Sequence, residues 1–338
     1  MRLDNVSILG LAHVDAPIRV PSADFEKRLA GTMERLGLPP GMLNAVAGIE
    51  ARRWWEEGVA PSDAAAMAAE KVIEQTGIDR SRIGVVINSS VCRDYIEPST
   101  ACLVHGKLKL SSHCLNFDLG NACLAFMNAM EVAGMMIARG QVEYALVVDG
   151  ENARFVQEQT LQRLEGDDID MNAFRAEFAT LTLGSGGVAM LLCATDKAEE
   201  AHPFLGGVSI AASEWNHLCR GQVDYMQTDT RTLLAEGVKL AHRTLQLASD
   251  VMEWTPGCLD RLVLHQVSAV HTTKLCEALG LDPNKAHLTF PEFGNIGPAS
   301  VPYTFSKMVD AGLIKRGDRV GLMGIGSGLN CAMAEVVW

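Results

Sequence analysis

Three side chains that lie far apart in the chain could together form and break a thioester: Cys123, His265 and Asn295. Cys123 closes the run Phe117-Asp118-Leu119-Gly120-Asn121-Ala122-Cys123 and opens a helical pattern. Its sulfur is therefore expected at a helix N-terminus, where unpaired N–H groups and the macrodipole favour a thiolate. A cysteine in apolar surroundings is otherwise a small core residue, and the strand-to-helix placement is what singles out this one among nine. His265 ends the apolar strand Leu262-Val263-Leu264, and ligands collect at the carboxyl ends of parallel strands. Asn295 lies in Gly294-Asn295-Ile296-Gly297-Pro298, where an ordinary turn also accounts for it. With the three in one crevice, the thiolate attacks an acyl carbonyl while imidazole and carboxamide N–H groups stabilise the oxygen that becomes negative. That chemistry needs no metal.

The elements that would position these groups occur twice. A helical pattern from Ser62 to Gln75 leads to a strand from Ile83 to Asn88, and a second from Leu234 to Met252 leads to a strand from Arg261 to His265. The Cys123 turn opens a helix running to Arg139-Gly140, followed by the strand from Tyr144 to Gly150. The Asn295 turn opens a helix running to Arg316-Gly317, followed by the strand from Arg319 to Gly324. Val-Ser-Ile also recurs, at Val6 to Ile8 and at Val208 to Ile210. Alternating strands and helices imply βαβ crossovers, mainly parallel sheets, and an α/β body with five layers in the order αβαβα. The expected halves are residues 1–196, carrying the cysteine, and 197–338, carrying the histidine and asparagine. The charged stretch from Thr195 to Pro203 reads as the linker, and the acidic segment from Glu165 to Glu177 as an inserted helical excursion.

Composition removes several function classes. A net charge of −12 over 338 residues disfavours a broad nucleic-acid-binding face, which neutralises phosphates with clustered Lys and Arg. The nine cysteines show neither a C-x-x-C pair nor an even ladder of spacings, so reduced thiols in a cytoplasm are expected rather than a zinc site or a disulfide framework. Asp4, His13 and Asp15 interrupt the first twenty residues, unlike a signal peptide, and no apolar run reaches membrane-spanning length. The loop Gly324-Ile325-Gly326-Ser327-Gly328 is not G-x-G-x-x-G or a P-loop. Its glycines would allow close backbone approach to a ligand, as a turn or as an oxyanion site.

Taken together, Asn121-Ala122-Cys123, His265-Gln266, the stretch from Gly294 to Pro302 and the loop from Gly324 to Gly328 resemble ketoacyl-ACP synthase III and its thiolase relatives along essentially the whole chain. Arg93 to Thr100, Ala145 to Glu151, Glu214-Trp215-Asn216 and Ile325 to Trp338 resemble in particular the OleA family, which joins two fatty acyl-CoA molecules head to head as the first step of long-chain olefin biosynthesis. The resemblance implies a thiolase-like fold built from two duplicated halves. It implies that Cys123 takes the first acyl group and that His265 and Asn295 assist the thiolate and line an oxyanion hole. The backbone N–H groups of Cys123 and Ser327 would form a second hole, with Gly326 and Gly328 in the substrate-binding loop.

Glu97 is the discriminating residue. On its own it reads as a solvated loop residue before Pro98. Joining two plain acyl-CoAs, however, requires a base to remove an α-proton, where a malonyl-ACP synthase gains its carbanion by losing carbon dioxide. By the resemblance Glu97 reaches the partner subunit's site, implying a homodimer with two composite sites. Coenzyme A thioesters would be the substrates, with no other cofactor, and downstream pathway enzymes would be the other partners. Where the initiating synthases carry Trp and Arg, this chain has Met42 and Val46, so the nucleotide end of CoA must be held differently; Arg52 and Arg53 are the candidate phosphate contacts. Competing expectations are a decarboxylative 3-oxoacyl-ACP synthase III, a thioesterase, and a non-catalytic acyl-binding partner.

Overall fold

Helix Pro61–Thr76 starts with proline in its first turn and ends on Gly77 at φ +64°, the asymmetry expected of helix ends. Its inward face is small, with Ala64, Ala65, Ala68 and Ala69 all fully buried. The helix therefore lies almost backbone to backbone on the sheet beneath it. A Cβ added at Gly187 would come 2.4 Å from the Ala64 carbonyl oxygen, and one at Gly150 would come 2.0 Å from that of Pro61. The strands below are buried on both faces, as continuous apolar runs require. Val85, Ile87, Ala145 and Val147 join one core cluster, while Val86, Leu146 and Val148 pack with the alanines of the outer helix.

The computed structural model describes residues 2–255 and 257–338. The first half contributes strands in the spatial order Ser7–Asp15, Gly186–Cys193, Tyr144–Glu151, Ile83–Asn88 and Leu115–Asp118. The second half contributes His202–Ala211, Asn330–Val337, Arg319–Gly326 and Arg261–Leu264. The first four of each set run in the same order and with the same relative directions. Ser7 and Ile8 pair with Pro203 and His202, joining the sets edge to edge. Helices Ala125–Ala138 and Ser300–Asp310 each contact strands of both sets and form the middle layer. Pro61–Thr76 with Thr100–Lys107 covers one outer face, and Thr230–Met252 with Ala269–Leu279 covers the other. The layers thus run αβαβα.

Several expectations need correction. The sheets are mixed: of eight neighbouring strand pairs three are parallel and five antiparallel. Asn330–Val337 follows Arg319–Gly326 through a short loop, which only an antiparallel pairing permits. The helix from the Asn295 turn stops at Asp310, because Gly312 turns the chain at φ +66°. The excursion is helical only from Met171; its Phe174 packs with Phe25, Leu29 and Met33 in a small separate core. Val6 to Ile8 begin one strand while Val208 to Ile210 end another, so that match is out of register and carries no duplication. Among the described residues no helix is long and apolar enough to cross a membrane.

Candidate active site

The nucleophile turn is built by a backbone that few residues tolerate. Ala122 sits at φ +44°, a left-handed conformation that costs energy for any residue with a Cβ, and a 3-10 turn, Ala122–Leu124, leads into helix Ala125–Ala138. Neighbouring amides hold the turn. Asn121 Nδ2 donates to Asn128 Oδ1 at 2.7 Å, and Asn121 Oδ1 accepts from Asn330 Nδ2 at 3.3 Å. The glycine loop closes on the turn from the opposite half: a Cβ added at Gly326 would lie 3.3 Å from the Leu124 amide nitrogen, and one at Gly324 would lie 2.5 Å from the Leu124 side chain. Gly328, at φ +129°, leaves room for Asn330. Among the described residues the amides of Cys123 and Ser327 donate to no backbone carbonyl of another residue.

Burial pushes the Cys123 thiol up to about 12, with smaller contributions from Cys219 and Glu151, and its own backbone N–H acts more weakly the other way. Burial thus opposes the thiolate that a helix N-terminus favours. His265 is also buried, and its backbone N–H donates to the Met323 carbonyl at 2.7 Å. Burial, with His271 as the second cause, holds its imidazole down to about 3, so it is neutral. Gln266 braces the segment that follows, donating to the His287 carbonyl at 2.6 Å and accepting from the Thr289 amide at 2.8 Å.

Asn295 is fixed through its main chain, which donates to the Thr182 carbonyl at 2.9 Å and accepts from the Gly184 amide at 2.8 Å. Its side-chain oxygen accepts from the Gly297 amide at 3.0 Å, which leaves the NH₂ end outside that turn. The 3-10 turn Gly297–Ala299 packs on the Ala122–Leu124 turn, as does the strand to which His265 is bonded. The segments carrying Cys123, Ser327, His265 and Asn295 thus converge.

A buried acidic pair lies behind this convergence. Asp149 accepts from Ser89 Oγ at 2.6 Å, and Glu151 accepts from the amides of Val91 and Cys92 at 2.6 and 3.2 Å. Burial pushes both carboxyls up. Sequence reasoning gave these two acids no role, although acids two apart at the end of an apolar strand were the available signal. They brace the loop that carries Glu97. Asp94 pins the same loop by accepting from Ser62 N and Oγ at 3.1 and 2.6 Å. Glu97 itself is exposed on this chain, beside Tyr95 and Ile96, which are 61% and 92% exposed.

Arg52 is corrected as a phosphate contact. The strand Ala51–Trp54 turns it inward, where it is 1% exposed. It donates to the Leu181 carbonyl at 2.8 Å and to Ser22 Oγ at 3.0 Å, and stacks 4.4 Å from the Phe25 ring centre. Arg53, on the other face, remains partly exposed beside Glu292 and Phe293.

Family models for 3-oxoacyl-[acyl-carrier-protein] synthase III match residues 117–209, and for its C-terminal part residues 250–338. Those spans hold the Cys123, His265, Asn295 and Ser327 segments and define a condensing enzyme of that type. The chain is 51% identical to the acyl-CoA:acyl-CoA alkyltransferase of Xanthomonas campestris pv. campestris, covering all of both chains. It is similar to crystal structures of Xanthomonas campestris OleA, one bound to cerulenin (51% identity, TM-score 0.99, covering 100% and 98% of the two chains) and one with lauric acid and lauroyl-CoA (50%, 0.97, 99% and 100%). The chain belongs to the OleA family of acyl-CoA:acyl-CoA alkyltransferases, acyltransferases of the thiolase superfamily.

Proposed function

We propose that this chain joins two long-chain fatty acyl-CoAs by a non-decarboxylative Claisen condensation, supplying a 2-alkyl-3-keto acid to olefin biosynthesis in the cytoplasm. The half formed by residues 1–196 supplies the nucleophile and the half formed by 197–338 the histidine and asparagine. Cys123 Sγ attacks the first thioester, its proton passing to the departing CoA thiolate, while the N–H groups of Cys123 and Ser327 hold the oxyanion. Glu97 of the partner subunit takes an α-proton from the second acyl-CoA, and His265 and Asn295 stabilise the enolate oxygen. The α-carbon attacks the acyl-cysteine, Cys123 departs, and water hydrolyses the remaining thioester, releasing the second CoA. The chain's own side chains carry every step, so no cofactor beyond the CoA thioesters is required.

The observation that carries this reading is Glu97: a carboxylate exposed on its own chain, on a loop braced by Glu151 and Asp94, among exposed Tyr95 and Ile96. Exposed apolar side chains of that size mark a contact surface, and the strand Leu115–Asp118 beside the loop's end is an open sheet edge, which supports a homodimer with composite sites. The relative solved with lauroyl-CoA supports fatty acyl-CoA as the substrate class. Glu97, with the full-length identity to an alkyltransferase, favours this reading over a malonyl-ACP synthase or a thioesterase. Incubation with a single long-chain acyl-CoA and no malonyl-ACP tests it. Two CoA released per β-keto acid are expected, whereas free fatty acid alone, or turnover only after malonyl-ACP is added, would refute it.

A further inference from the structure

A small cavity of about 10 Å³ reaches His265, walled mainly by apolar side chains including Leu275, Leu279, Met323 and Met333. A second imidazole, His271, lines the same cavity. It belongs to the first turn of helix Ala269–Leu279, where its backbone N–H is capped by Ser268 Oγ at 3.2 Å. The Nδ1 atoms of both rings are buried and have no hydrogen-bond partner. Orphaned buried ring nitrogens are uncommon in folded proteins, and here two belong to residues that line one cavity. Its volume matches what a single water requires, and two ring nitrogens give that water the polar partners an apolar void lacks.

Burial holds His265 down to about 3 and His271 down to about 4. Each ring is therefore neutral, with one N–H and one lone-pair nitrogen, and its tautomer is set by whatever the other nitrogen meets. The oxyanion role of His265 demands the proton on Nε2, and hence a donor facing Nδ1.

We propose that the cavity holds one water that accepts from His271 Nδ1–H and donates to His265 Nδ1, making His271 a positioning residue that fixes His265 as the Nε2–H donor. The inference rests on the reading that His265 donates to the enolate oxygen. Positioning partners of this kind typically change activity by roughly 10- to 100-fold.

Nitrogen-15 NMR of the histidine-labelled full-length protein tests it, with the His265 signals assigned by their loss in His265→Gln. The wild type is expected to carry the His265 proton on Nε2. In His271→Leu the His265 tautomers mix and condensation of the acyl-enzyme slows by roughly tenfold or more. His271→Asn, whose amide nitrogen replaces Nδ1, keeps both close to wild type. A wild-type His265 protonated on Nδ1 would overturn the proposal. So would a His271→Leu variant unchanged in tautomer and rate, or equal slowing in both variants with an unchanged tautomer, which would mean packing alone. Should His271→Leu not fold, the wild-type tautomer and His271→Asn decide. Failure of the condensation reading would look different: the wild type itself would keep its acyl-enzyme and its Nε2 tautomer yet form no new carbon–carbon bond.

Discussion

At the level of single residues, burial dominates the electrostatics of both the nucleophile and the histidine. The Cys123 thiol is pushed up to about 12 and the His265 imidazole down to about 3, burial being the largest cause of both. A raised thiol pKa means that the thiolate fraction is small at neutral pH and grows tenfold per pH unit until the pKa is approached. The rate of Cys123 alkylation by iodoacetamide in the free enzyme is therefore expected to climb with unit slope from about pH 7 to 10. A plateau below about pH 8 would show a helix-stabilised thiolate instead. The two roles of the carboxylate and the thiol also separate: Cys123→Ala is expected to abolish the acyl-enzyme seen by intact-protein mass spectrometry, whereas Glu97→Gln retains it but forms no condensation product. Normal product yield from Glu97→Gln would remove Glu97 from the mechanism. The types and spacing of Cys123, His265 and Asn295 were legible in the sequence. The burial that shifts the Cys123 thiol and the His265 imidazole was not, since it depends on how other segments cover them, and Arg52 was misplaced for the same reason.

Among elements, close approach decides what the chain tolerates. Gly187 meets the backbone of helix Pro61–Thr76, where a Cβ would come 2.4 Å from the Ala64 carbonyl oxygen and neither side can yield as a side-chain tip would. Gly187→Ala should destabilise by about 1–3 kcal/mol, read as a lower denaturant midpoint; an unchanged midpoint would contradict the packing. The buried face of strand Tyr144–Glu151 acts more locally. Glu151→Gln removes the carboxylate that holds the Val91 and Cys92 amides, at a cost of about 1 kcal/mol in the order of the Glu97 loop. Condensation is expected to slow severalfold while acylation stays near wild type; equal losses in single-turnover assays would place Glu151 at the nucleophile instead. Strands such as Ile83–Asn88 were legible from their two-sided apolar runs, and helix Pro61–Thr76 from its small-residue face. Strand direction was not, because a long excursion and a short loop both precede antiparallel strands here and apolar runs look alike in either direction.

On the scale of the whole molecule, the duplicated strand order places the Cys123 turn and the Asn295 turn at the openings of the two middle helices, packed on one another, with the glycine loop against the Cys123 turn. The recurrence of helix, strand and turn made that duplication readable from sequence. The composite site proposed for a dimer was readable only through family resemblance, since one chain leaves Glu97 exposed. Co-expressing Cys123→Ala and Glu97→Gln subunits under two affinity tags, then purifying the mixed dimer, tests the composite site most directly. If Glu97 acts across the interface, the Cys123 of one subunit meets the intact Glu97 of the other. The mixed dimer then condenses a single acyl-CoA at about half the wild-type rate, one live site of two, while both parent homodimers are inactive. An inactive mixed dimer would show that Glu97 does not serve its partner's cysteine.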